Sequence, residues 1–382
     1  MQEYDLLNDY EKDVLGIDDF KKCLSNNNIV KLKGLKRSIC VGQGLSLKVN
    51  TSVGLSNIYF MNEELDKINS IISHKYHPDI MMDLSTVAAP KPIYKSIIEE
   101  IGCPVGTIPY YLCFDKRKGI DRVKLLEIIE QQAQEGISFM TLHLTADLKL
   151  AEIAKSRKIP VISRGGSLLL RDMKINNRTE NIVLELLDEI INICRKHSIV
   201  ISLGTTFRPS TLYDAIDEVN VEEISRQNEL AMWLKSQNIA VMMEGIGHIP
   251  INRIPEYVSL IRKKQYIPFM PLGPIVSDHT QGEDHITSAV GACTIASLNG
   301  ADIINSITRE EHTGGVPSIE SILEGLDTAK TVVQIINDAR FPRYFQEQTK
   351  ECFNCMGKSG VLGCERCNIE CPFIWNKDAE SI

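Results

Sequence analysis

Five cysteines near the C-terminus have the spacing of a metal or cluster site. Cys352, Cys355, Cys364, Cys367 and Cys371 lie in the run C-F-N-C-M-G-K-S-G-V-L-G-C-E-R-C-N-I-E-C-P. A C-x-x-C turn sets two thiolates on one side of a tight loop, close enough to share one metal. Gly357, Gly360 and Gly363 let the backbone fold closely between the pairs. The closing C-x-x-C-x-x-x-C-P has the form of the end of a cluster-binding run of ferredoxin type. A structural zinc knuckle is the alternative that the same spacing permits.

Two histidines offer a second metal site. His248 stands in Glu244-Gly245-Ile246-Gly247-His248-Ile249-Pro250, and His312 in Glu310-Glu311-His312-Thr313-Gly314-Gly315. Two imidazoles from different strand ends can bind one divalent metal, zinc or iron, and leave positions open for a substrate. The alternative is a pair of ordinary hydrogen-bonded histidines. His285 reads as a helix-start residue beside the site.

The run Ser163-Arg164-Gly165-Gly166-Ser167 combines backbone N–H groups freed by glycine, hydroxyl donors and a guanidinium fork. That set suits a phosphate, with Arg208 as a second partner; a plain turn with a surface arginine is the bland reading. Glu244 and His143 are the candidates for proton transfer or substrate hydrogen bonding. Glu310 and Glu311 read as supporting or solvated charges. No Ser-His-Asp order or nucleophilic Cys-His pair stands out.

These residues follow short apolar runs. The runs are Leu47–Asn50, Ile80–Leu84, Val105–Pro109, Ser138–Leu142, Val161–Ser163, Ile199–Leu203, Ala240–Met243, Phe269–Leu272 and Asp302–Ile307, with amphipathic segments between them. Strand–helix alternation predicts parallel βαβ units. No G-x-G-x-x-G follows the first strand, and polar residues gather after the runs. Both features favour an α/β (βα)8 barrel of TIM type over a doubly wound sheet. Nine runs are one too many, and Pro268, Pro271 and Pro274 make Phe269–Leu272 the one to assign to a loop. The expected organisation is an N-terminal helical lead-in over 1–42, the barrel over 43–316, a helical region over 317–345 and the cysteine tail over 346–382. The apolar face at Ile319–Ile336 is expected to pack on the barrel or on a partner subunit.

The 382 residues suffice for a full core, and the net charge of −8 argues against a nucleic-acid or anionic-membrane surface. The acidic N-terminus lacks the apolar core of a signal peptide, and no stretch reaches transmembrane length. Cys23, Cys40, Cys103, Cys113, Cys194 and Cys293 are scattered and read as reduced thiols. A cytoplasmic location is therefore expected, where clustered cysteines more often hold metal than form disulfides.

Taken together, several segments resemble the ThiC family of radical S-adenosylmethionine (SAM) enzymes. They are Met82-Asp83-Leu84-Ser85-Thr86, Val105-Gly106-Thr107-Ile108-Pro109, Phe139-Met140-Thr141-Leu142-His143, Ser163-Arg164-Gly165-Gly166-Ser167, Met243 through Pro250, Leu272-Gly273-Pro274, Asp284-His285-Ile286-Thr287-Ser288-Ala289 and Glu311-His312-Thr313-Gly314, in the family's order. The resemblance implies a (βα)8 barrel and a homodimer whose cluster-bearing tail reaches an active site. It implies a lyase of thiamine biosynthesis that makes hydroxymethylpyrimidine phosphate from aminoimidazole ribotide. The chemistry is reductive cleavage of SAM by a [4Fe–4S] cluster fed by an electron donor. Substrate-binding positions carried over are Met82, Tyr111, His143, Ser163, Arg164, Gly165, Arg208 and Glu244. The metal-binding positions are His248 and His312.

The departures are specific. Eight residues separate Cys355 from Cys364, where the family has four. Either Cys352, Cys355 and Cys364 bind the cluster, or Cys364, Cys367 and Cys371 do, and the spare cysteines are free for a second metal. Ser52 stands for a family Asn, Thr205-Thr206 for an Asp-Gly, and Met270 for a Tyr. The class of chemistry is expected to persist while substrate or product differs. Alternatives are a paralogue making 5-hydroxybenzimidazole for a cobamide, a zinc-dependent hydrolase using His248 and His312, and a ligand-binding paralogue without catalysis.

Overall fold

The computed structural model of the chain describes residues 3–343. The chain divides into two compact units, Met1–Ile336 and Asn337–Ile382, and the barrel and its site lie in the first. Its eight strands are β1 Lys48–Val53, β2 Ile80–Asp83, β3 Val105–Thr107, β4 Phe139–Leu142, β5 Val200–Leu203, β6 Val241–His248, β7 Phe269–Ile275 and β8 Ile303–Asn305. They form one parallel sheet in the order β7-β6-β5-β4-β3-β2-β1-β8. A buried parallel sheet needs apolar residues on both strand faces. β2, β4 and β5 are accordingly buried at every position.

The outer helices are α1 Met61–Ser73, α2 Ile93–Ser96 (continued by a π-turn to Ile101), α3 Arg122–Gln134, α4 Leu187–His197, α5 Glu218–Ser236, α6 Ile254–Ile261, α7 Asp284–Ser297 and α8 Ile319–Arg340. Side-chain caps fix several starts. Asp121 accepts from the Lys124 N–H and Asp217 from the Asn220 N–H, each at 2.8 Å. Such caps satisfy N–H groups that the helix itself leaves free. On α8, Ile322, Leu326, Ala329 and Val332 are buried in the barrel's own core cluster. The apolar face of the C-terminal helix is thus used within the chain, as the outer helix that follows β8.

Two expectations change. Val161–Ser163 is not a strand. It leads into a helix at Arg164–Ile175, and the Ser163 hydroxyl caps that helix by accepting from the Gly166 N–H at 3.2 Å. Phe269–Leu272 is not a loop but most of β7. Prolines lose a donor and keep an acceptor. The Pro268 carbonyl accepts from Met243 N–H at 2.9 Å, and that of Pro271 from Asn305 Nδ2 at 2.8 Å. β7 and β8 end the sheet order, and between them Asp302 acts as a clamp. Its N–H donates to the Phe269 carbonyl and its carboxylate accepts from the Phe269 N–H, each at 2.9 Å. Prolines are tolerated where the ladder is interrupted in this way.

The lead-in is more than helical. Helices Asp9–Val14 and Ile17–Ser25 precede a hairpin of Ile29–Leu32 with Ile39–Gly42. Asn27 bonds both backbone groups of Val241, the first residue of β6, at 2.9 and 3.1 Å. The segment therefore packs at the N-terminal end of the barrel, opposite the end where such folds carry their sites. Among the described residues, no helix is long and apolar enough to cross a membrane. The six described cysteines are free thiols, and burial pushes Cys40, Cys103, Cys113 and Cys194 up to about 12.

Candidate functional site

The C-terminal strand ends open into a cavity of about 640 Å³. Ser52, Met82, Tyr111, His143, Ser163, Arg164, Thr205, Arg208, Glu244, Met270, His248 and His312 all line it. Gly165 stands behind the wall. A Cβ there would lie 2.5 Å from His143 Cε1 and 2.8 Å from the Tyr110 hydroxyl, and one at Gly204 would lie 2.6 Å from the same imidazole carbon. The two glycines therefore leave the room that the ring occupies. The five tail cysteines lie outside the described residues.

At the β4–β5 side, the Arg164 guanidinium lies 5.7 Å from the Tyr111 ring centroid, over its face. Arg164 is the first residue of the capped helix, so unpaired N–H groups and the positive end of the helix dipole stand beside it. Arg208 is half-buried and lines the same cavity. Among the described residues, neither arginine forms an ion pair with a carboxylate. Burial pushes the Tyr111 hydroxyl up to about 12, against the pull of both arginines. Two guanidiniums with no carboxylate in ion-pair contact, one of them at a helix start, form an arrangement that can receive an anion.

His143 receives no such charge. Burial and the nearby Arg208 hold its imidazole down to about 3, so the ring is neutral. Its Nδ1 lies 2.6 Å from the Tyr110 hydroxyl. Glu244 behaves oppositely. Burial raises its carboxyl, while hydroxyl donation from Ser202 and Thr141 and attraction to Arg208 work the other way. Both hydroxyls reach Oε1, at 2.6 Å each. Among the described residues, Oε2 has no partner and is left for a ligand. Thr205 spends its hydroxyl on the Glu244 carbonyl at 2.8 Å. Met270, buried, pairs with Glu244 in the β6–β7 register.

At the β6–β8 side the two histidines meet. Their Nε2 atoms are 3.0 Å apart. His248 Nδ1 lies 2.6 Å from Asp278 Oδ1, and His312 Nδ1 lies 2.9 Å from Asp284 Oδ1. Asp284 also accepts from the His312 N–H at 3.1 Å. A carboxylate behind each Nδ1 fixes the tautomer with Nε2 free to coordinate, which is the outer arrangement of metal-binding histidines. The donor set therefore fits a divalent ion, with two protein ligands; among the described residues no third His, Cys, Asp or Glu completes a group. A bulge aims His248. The β6–β7 register shifts between Ile246 and His248, with Ile246 at φ 65° and Gly247 at φ 119°. A Cβ on Gly247 would lie 2.5 Å from the Pro209 carbonyl oxygen. Bulges and strained residues of this kind re-aim side chains at functional sites. His285 faces elsewhere, with Nε2 3.7 Å from Glu324 on α8.

Several participants carry no signal in the sequence reading. Asp278 stands in a loop far along the chain from His248. Tyr110 differs from Tyr111 only in where the turn Pro109–Leu112 points it. Glu64 and Lys67 also line the cavity, as a buried ion pair one helical turn apart.

The model of the Radical SAM ThiC family matches residues 13–354. The phosphomethylpyrimidine synthase of Carboxydothermus hydrogenoformans is 37% identical over 78% of this chain and 71% of its own. That of Clostridium acetobutylicum is 34% identical over 86% and 77%, and that of Methanocaldococcus jannaschii 34% over 89% and 82%. With a family match over most of its length and relatives of this similarity, the chain belongs to the Radical SAM ThiC family.

Proposed function

We propose that the chain is a radical SAM lyase converting 5-aminoimidazole ribotide to hydroxymethylpyrimidine phosphate in thiamine biosynthesis. The observation that carries this reading is the pairing, in one cavity, of an arginine corner free of ion-pair contacts with a braced histidine pair. Arg164, Arg208 and the N–H groups after Ser163 take the phosphate. Glu244 Oε2 accepts from a ribose hydroxyl or holds a proton in transit, and neutral His143 hydrogen-bonds without adding charge. His248 and His312 hold a divalent ion. Three of the tail cysteines would hold a [4Fe–4S] cluster, which with SAM and an external electron donor would supply reductive radical chemistry. The barrel shields that chemistry from water. The family resemblance further supports a homodimer.

A second reading has its own observation. Thr205 spends its donor on the backbone and Met270 is a thioether, so these two positions of the wall donate no hydrogen bond to a ligand. A product other than the pyrimidine, such as 5-hydroxybenzimidazole, fits that wall. One experiment addresses both. The protein is reconstituted anaerobically with iron and sulfide, reduced, and given SAM and the ribotide. 5′-Deoxyadenosine and a pyrimidine product by mass are expected. A benzimidazole mass selects the second reading; a protein that holds only zinc and forms no deoxyadenosine sinks the radical assignment.

A further inference from the structure

The cavity has a third charged corner. Lys67 and Glu64, on α1, are 5% and 3% exposed. A lysine so deeply buried is rare unless paired, and a pair recovers its desolvation only when its remaining hydrogen-bonding groups are satisfied. Glu64 meets that condition. Its Oε1 takes Lys67 Nζ, and its Oε2 accepts from the Gly54 N–H at 3.1 Å. Lys67 does not. An ammonium has three donors, and among the described residues Glu64 is the one acceptor that Lys67 reaches. Two N–H donors on the cavity wall are left for a ligand.

The topology says which part of a ligand they meet. In the cyclic order of eight strands β1 and β5 are diametrically opposed. Lys67 follows β1, and Arg208 follows β5. A molecule with its phosphate at the arginines therefore extends its other end toward Lys67. Met82 and Leu84, at the end of β2, line the cavity there with apolar surface suited to a flat ring.

We propose that Lys67 is a specificity-determining residue that donates to an unprotonated ring nitrogen of the heterocycle, with Glu64 as the positioning residue that holds its ammonium. This rests on the ribotide reading above. Binding separates the two without a cluster or turnover. Titration calorimetry on the full-length protein compares 5-aminoimidazole ribotide with ribose 5-phosphate, which keeps the phosphate and lacks the ring. Lys67→Met is expected to lower ribotide affinity about tenfold, the worth of one charged hydrogen bond, and to leave ribose 5-phosphate affinity unchanged. Since Lys67→Met strands a buried carboxylate, the double variant Glu64→Gln/Lys67→Met is measured beside it and should show the same selective loss. Equal loss of both ligands, or unchanged ribotide affinity, overturns the proposal while ribose 5-phosphate binding by the unaltered protein stands. Failure of the unaltered protein to bind either ligand overturns the phosphate reading, and this one with it.

Discussion

At the β4–β5 side of the mouth two cations have, among the described residues, no carboxylate in ion-pair contact; at the β6–β8 side two imidazoles are each given a carboxylate. Arg164 rests on the face of Tyr111 and Arg208 stands in the open cavity. His248 and His312 are held through Nδ1 by Asp278 and Asp284. The difference fits the ligands proposed for the two corners. An anion receptor keeps its charge available, because an internal carboxylate would compete with the ligand. A metal site needs its rings fixed in one tautomer and made more basic, and a carboxylate does both.

The comparison breaks first at the histidines. His248→Ala is expected to abolish stoichiometric binding of zinc or ferrous ion by titration calorimetry, since a two-histidine site does not survive on one ring. Asp278→Asn should weaken binding about 10–100-fold by loosening the ring that it holds. Metal binding that ignores both changes would mean that the pair is a plain hydrogen bond. At the other corner Arg208→Met should weaken ribose 5-phosphate binding, also by calorimetry, about tenfold or more, as loss of a charge-assisted contact does, with metal affinity unmoved. A fall in both affinities would show that the corners are not separate devices.

A smaller effect probes the scaffold of the arginine corner. Gly165→Ala puts a methyl carbon against the His143 ring and the Tyr110 hydroxyl. Overpacking of this kind costs about 1–3 kcal/mol, so the melting temperature should fall, and the Arg164 helix start should shift enough to reduce phosphate affinity. An unchanged protein would mean that the His143 ring has room to move.

Much of this was legible in the residues and some was not, for physical reasons. The family segments mark many of the cavity-lining positions, five of the eight segments lie on barrel strands, and periodicity finds most of the strands. Val161-Ile162-Ser163 imitates a strand because a short apolar run before polar site residues looks the same whether it ends a strand or caps a helix. Phe269–Leu272 imitates a loop because proline statistics describe central strands, and β7 lies at the interrupted seam. Asp278 was illegible because its partner His248 lies thirty residues away, with α6 and β7 between them. Lys67 and Glu64 are three residues apart on one helix, and nothing in that spacing tells that α1 buries them at the end of β1. The tail shows the opposite limit. Its spacing speaks plainly of metal, yet the family match stops at residue 354, before four of its five cysteines.

The smallest effect comes from two buried groups that titrate in opposite senses. His143 is held down to about 3 from the ordinary 6.5 by burial and by Arg208. Below pH 6.5 the unfolded chain takes up a proton there that the native state refuses. Stability from this group is present above 6.5 and lost as pH falls toward 3. Glu223 is pushed up to about 7 by burial, although it accepts from Thr145 and from the Thr206 and Phe207 N–H groups that lead to Arg208. Its native state binds the proton more tightly, so stability is present below the unfolded value of 4.5 and lost as pH rises through 7. Between about pH 4.5 and 6.5 the two slopes oppose each other, each at most about 1.4 kcal/mol per pH unit. Denaturant melts at pH 5, 6 and 7 separate them. His143→Gln should uncover a stability that falls with rising pH, and Glu223→Gln one that rises. Parallel pH profiles for the two variants would show that His143, and with it Arg208, lies in a wetter corner than the neutral imidazole requires.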